Sequence, residues 1–131
     1  MDVPAQYNRL MPYLIISNAT GFAGFMKTVF NAEEQLVVPR SEGKIMHGEL
    51  RIGNAVIMFA DATEEFSARP AGMFIYVESV DDTYRKALEA GATSLMKPGK
   101  QPYGYSCGFH DAFGNDWWPV EPPVEETGAD I

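Results

Sequence analysis

The sequence predicts an α+β fold in which one unit, a strand, a helix and three further strands, occurs twice. Three observations carry that reading. Each half pairs an apolar strand with an amphipathic helix, each helix stops at Asn31 or Gly91, and each half closes on a Gly-Asn hairpin turn, Gly53-Asn54 and Gly114-Asn115. Neither half, at about 50 residues, could bury enough apolar surface by itself. Residues 1–120 are therefore expected to form one domain, with modules at about 10–61 and 73–120, and residues 121–131 read as a flexible acidic tail.

Leu10 to Ser17, with the β-branched pair Ile15 and Ile16, reads as the first strand. Asn18 can cap the helix that follows, where Phe22, Phe25, Met26, Val29 and Phe30 share one face. Gly21 and Gly24 weaken that helix, so packing must support it. Gln35 to Pro39 is a short strand, and Ile45 to Arg51 with Ala55 to Ala60 forms a hairpin. A connector with Pro70 and Gly72 precedes the second copy. There Met73 to Glu78 is a strand, and Ser79 with Asp82 gives a capping-box signature for a helix that Gly91 ends. Thr93 to Met96 reads as a strand and residues 97–104 as a Pro/Gly-rich loop. Tyr103 to Val120 (YGYSCGFHDAFGNDWWPV) is a strand, a glycine turn and a strand ending in two tryptophans.

The charge of −8 argues against nucleic-acid or anionic-membrane partners, which need a basic face, and favours a cationic ligand. No segment is apolar enough to span a membrane and the amino terminus lacks a signal-peptide pattern. Cys107 is the single cysteine, which excludes an internal disulfide and suggests a cytoplasmic location; it reads as a packed residue. No phosphate-binding loop or serine-triad motif is present.

A strand packed on a helix leaves its other face free to line a cavity. Alternation puts Leu14, Ile16, Met73 and Ile75 on the helix side and Tyr13, Phe74 and Tyr76 on the cavity side. A three-residue hairpin loop with Gly in the left-handed position adds Trp118 and His110 in the second half, and His47, Glu49, Ile57 and Phe59 in the first. A two-residue loop in the first hairpin would instead separate His47 and Glu49 from this set. The resulting site is aromatic, with sparse polar groups, as small-molecule pockets are. Glu49 could orient His47 for acid–base work, which makes the pair the candidate catalytic residues. Asp111 suits an Asx-type hydrogen bond within its own turn, and Tyr103 and Tyr105 could close over a ligand from the loop.

The terminal hairpin, with Asp111-Ala112-Phe113-Gly114 before Trp117 and Trp118, and the paired βαβββ modules resemble the vicinal oxygen chelate superfamily of glyoxalases, bleomycin-resistance proteins and dioxygenases, in particular its PhnB-like branch. Ala112 stands where that branch has proline. The resemblance covers Leu10 to Val120 and implies a curved mixed sheet around a concave cavity, and a homodimer. Metal-using members draw ligands from the first and last strands of each half. The matching positions here, Met11 or Pro12, Ile57, Gly72 or Met73, and Trp118, supply no imidazole or carboxylate. The expectation is therefore a small-molecule binding protein without a metal cofactor, holding an aromatic or amphipathic ligand and possessing a sequestering or resistance role. The alternative is a lyase or isomerase using His47 and Glu49, with a divalent metal at nonstandard positions.

Overall fold

The computed structural model describes residues 1–123, so the expected acidic tail lies outside the described residues from residue 124 on. The fold is α+β, and the chain divides into two compact units, Met1–Ala71 and Gly72–Ile131.

The first unit runs β1 (Tyr13–Ile16), α1 (Ala19–Phe30), β2 (Glu33–Ser41), β3 (Lys44–Ile52) and β4 (Ala55–Asp61). Its mixed sheet has the order β1-β4-β3-β2, with β1 parallel to β4 and the other pairs antiparallel. Asn18 caps α1 by accepting the Gly21 N–H at 3.0 Å, and Asn31 ends it in the left-handed conformation, φ 55°. The buried stripe of Phe22, Phe25, Met26 and Val29 packs on Leu14, Ile16, Leu50 and Phe59; the Phe22 and Phe59 rings meet edge to face at 5.6 Å. Gly48 is required beneath Phe59, because a Cβ there would lie 2.4 Å from the ring.

The second unit repeats this plan with β5 (Gly72–Tyr76), α2 (Val80–Glu89), β6 (Thr93–Gln101), β7 (Gly104–His110) and β8 (Asp116–Val120), in the order β5-β8-β7-β6. Ser79 Oγ caps α2 by accepting the Asp82 N–H at 3.1 Å. Trp117, Phe109 and Cys107 are buried on the helix side of this sheet. β6 extends well beyond the Thr93–Met96 expectation and takes in most of the expected loop. Pro98 is tolerated because β6 is an edge strand and its register shifts between Met96 and Gly99.

In each module a carboxylate at the end of the last strand, or one residue past it, closes the helix amino terminus. Asp61 Oδ1 accepts the Ala19 N–H at 3.0 Å, and Glu121 Oε2 accepts the Val80 N–H at 2.8 Å. Composition alone assigns Glu121 to the tail, but its side chain belongs to the second module.

Candidate functional site

The two hairpins differ by one residue, and that difference sorts the candidate residues. In the second, Asp111 N–H donates to the Asn115 carbonyl across a three-residue loop with Gly114 at φ 96°, as the sequence predicts. The Asp111 carboxylate holds this turn by accepting from Phe113 N, Asn115 N and Trp117 Nε1 at 2.8, 2.9 and 2.8 Å. In the first, Ile52 pairs directly with Ala55 and Gly53 alone has positive φ, 56°, which fits a two-residue type II′ turn. Leu50 consequently pairs with Ile57, and Glu49 with Met58.

The expectation that Ile57 and Phe59 line the cavity is therefore corrected. Phe59 pairs with Leu14 of β1, so it faces α1, and Ile57, two residues back, faces the same way. His47 and Glu49 remain beside Tyr13, on the face turned away from α1. His47 shares that face with Glu49 by simple alternation, and the irregularity lies beyond it: Val38 pairs with His47 and Pro39 with Ile45, leaving Met46 as an extra residue in β3.

On this face a chain of hydrogen bonds runs from solvent to a buried carboxylate. Tyr13 OH lies 3.1 Å from His47 Nδ1, and His47 Nε2 lies 2.7 Å from Glu49 Oε2. Glu49 also accepts from Tyr7 OH at 2.9 Å and from Gln35 Nε2 at 3.0 Å, while Arg51 donates to Gln35 Oε1. Burial pushes the Glu49 carboxyl up, but the hydrogen bonds from Gln35, His47 and Tyr7 together with the His47 charge outweigh it and hold the group below the ordinary carboxylate range. The same contact with Glu49, then burial, raises the Tyr7 phenol. An ionised Glu49 can only accept, so His47 Nε2 carries a proton; when the ring is neutral its Nδ1 accepts from Tyr13 OH, and when it is charged Nδ1–H donates to the Tyr13 oxygen. The Tyr13 oxygen keeps its outward lone pairs for a ligand. Sequence periodicity signals neither residue, because Tyr7 lies in irregular chain before β1 and Gln35 is the unpaired residue at a register shift of β2 between Glu34 and Leu36.

The second module presents a different surface on the corresponding face. Phe74 and Tyr76 are 54% and 60% exposed, with rings 5.3 Å apart in an edge arrangement, and Tyr103 lies 6.4 Å from Phe74. Trp118 lies flat over Gly108, where a Cβ would stand 2.3 Å from the indole. His110 shares this face at its exposed end, with Nδ1 2.6 Å from Asp116 Oδ1. Tyr105 does not close over a ligand: it lies within β7, and its hydroxyl donates to Asp81 of α2 at 2.7 Å. That hydrogen bond, then burial, raises its phenol. Burial pushes the Cys107 thiol up to about 12, which removes it as a nucleophile near neutral pH.

A divalent metal does not fit these residues. On the helix-free side, β1, β4, β5 and β8 present Tyr13, Met58, Phe74 and Trp118, none of which is an imidazole or a carboxylate. His47 and Glu49 are engaged with each other, and no group of three metal-ligating side chains occurs among the described residues. No helix among the described residues is long and apolar enough to cross a membrane.

The Glyoxalase/Bleomycin resistance protein/Dioxygenase superfamily profile matches residues 8–118. An uncharacterized protein of Mycobacterium bovis is 29% identical over 133 residues, spanning 92% of this chain and 87% of its own length. A solved structure of a PhnB protein from Bacillus cereus shares the fold at TM-score 0.71 and 18% identity, over 87% of this chain and 99% of that one. TnmS3, an antibiotic binding protein from Streptomyces sp. CB03234, does so at TM-score 0.70 and 16% identity, over 94% and 99% of the two chains.

Proposed function

Because this chain belongs to the Glyoxalase/Bleomycin resistance protein/Dioxygenase superfamily, we infer that it binds a small aromatic or amphipathic molecule on the helix-free faces of its sheets, without a metal. The observation that carries this reading is the set Tyr13, Met58, Phe74 and Trp118, three aromatics and a thioether on the helix-free faces, with no imidazole or carboxylate among them. The antibiotic-binding relative TnmS3 makes sequestration the favoured role. Titration of chelator-treated protein with planar aromatic compounds, followed by tryptophan fluorescence, tests it: saturable binding without turnover is expected, and no binding across such a set would contradict it.

A second reading, lyase or isomerase chemistry, is supported by one feature, the 2.7 Å contact between His47 and a Glu49 held ionised. In that reading His47→Ala abolishes turnover while leaving the fold intact. The homodimer belongs to the same proposal, supported by the exposed Tyr13, Met46, Phe74 and Tyr76. Light scattering should then give about twice the 14.5 kDa chain mass. A cytoplasmic location is the compartment consistent with the buried, unpaired Cys107 thiol.

A further inference from the structure

We propose that the pocket at the end of the first sheet selects an anionic ligand, a flat apolar body carrying a carboxylate or similar acid that pairs with Arg40. The proposal rests on the small-molecule reading above and names the chemical class. The pocket encloses about 520 Å³ between Tyr13, Ile15, Met46 and Ala60 of the sheet and Phe66 of the following loop. Its size suits a bicyclic or similar molecule. Ala60 keeps the floor low. Phe66 is positioned as a wall by reciprocal hydrogen bonds with Thr63: Phe66 N–H to Thr63 Oγ1 at 2.9 Å and Thr63 N–H to the Phe66 carbonyl at 2.8 Å.

Two charged residues line this apolar space, one with both oxygens already bound and one with donors to spare. Asp61 is buried, and both its oxygens are committed to backbone donors, Oδ1 to Ala19 N–H at 3.0 Å and Oδ2 to Ile45 N–H at 2.6 Å. Arg40 donates to the carbonyls of Asp61 and Ala62 at 3.3 and 3.5 Å, contacts that orient the guanidinium without neutralising it. A guanidinium has five N–H donors, so most remain free, and Arg40 takes part in none of the ion pairs among the described residues. An exposed arginine edge beside an apolar floor matches a ligand that ends in a planar acid, which it can bind in a bidentate way. The local charge thus opposes the net charge of −8, from which a cationic ligand is expected. Contact electrostatics in a partly desolvated pocket outweigh a diffuse field screened over about 8 Å at physiological salt.

The test uses full-length protein and three probes sharing one ring system, 2-naphthoate, 2-naphthamide and 2-naphthylmethylammonium, titrated by calorimetry. Naphthoate is expected to bind about tenfold or more tighter than the other two, and Arg40→Met to remove that preference while leaving naphthamide affinity within about twofold. Far-UV circular dichroism of the variant checks its fold, and Arg40→Lys should restore part of the preference. If naphthamide or the ammonium binds as tightly as the acid, or if naphthoate affinity survives Arg40→Met, the inference is overturned and the small-molecule reading stands. If none of the three binds, both fall together.

Discussion

The two modules place the same strands in the same order yet present opposite chemistry on their helix-free faces. In the first, Glu49 pairs across to Met58, and a polar chain from Tyr13 through His47 ends on a carboxylate that Tyr7 and Gln35 also hold. In the second, Gly108 lies under Trp118, and Phe74 and Tyr76 complete an aromatic platform. The contrast comes from single residues on a shared scaffold: glycine lets an indole lie flat, whereas glutamate recruits polar neighbours to satisfy its buried charge. One scaffold thus carries two surface chemistries, and single substitutions test each of them.

The comparison breaks hardest at Gly48. Gly48→Ala puts a Cβ into the fully buried Phe59, which is held against Phe22 and has nowhere to go, so urea denaturation should show a loss of about 3 kcal/mol. Glu49→Ala comes next. It strips the acceptor shared by His47, Tyr7 and Gln35 and should cost about 2 kcal/mol in the same assay. Because the Glu49 carboxyl is held below its ordinary value of 4.5, its contribution is present at neutral pH and lost as pH falls through the lowered folded value. Glu49→Gln should therefore flatten the acid side of the stability profile. Gly108→Ala is the milder counterpart of Gly48→Ala: Trp118 is half-buried and can swing aside, so the expected loss is about 1 kcal/mol, with a shifted tryptophan emission and weakened aromatic binding. Tyr13→Phe is the smallest, about 0.5 kcal/mol, since it removes one exposed hydrogen bond to His47.

Much of the fold was legible because its signals are local. Asn18, Asn31, Ser79 and Gly91 cap helices by their own chemistry, and Gly114 with Asp111 sets the second hairpin. The first hairpin was not legible in the same way. Gly53-Asn54 serves a two-residue or a three-residue loop equally well, and that one-residue ambiguity moved Ile57 and Phe59 to the wrong face. Tyr105 was misplaced because β6 runs on to Gln101, which shortens the expected loop, and alternation along β7 turns Tyr105 toward Asp81. Tyr7 meets Glu49 across 42 residues and Arg40 reaches the pocket beside β4, long-range placements that no periodicity encodes.

The most direct measurement is binding of an aromatic probe to protein stripped of metal by chelation and then supplied with zinc or manganese, with Tyr13→Ala and Trp118→Ala compared alongside. The account predicts saturable binding to the stripped protein, no change on adding metal, and a marked weakening in at least one of the two variants. Binding that appears only with stoichiometric metal, or that ignores both aromatic deletions, would contradict it.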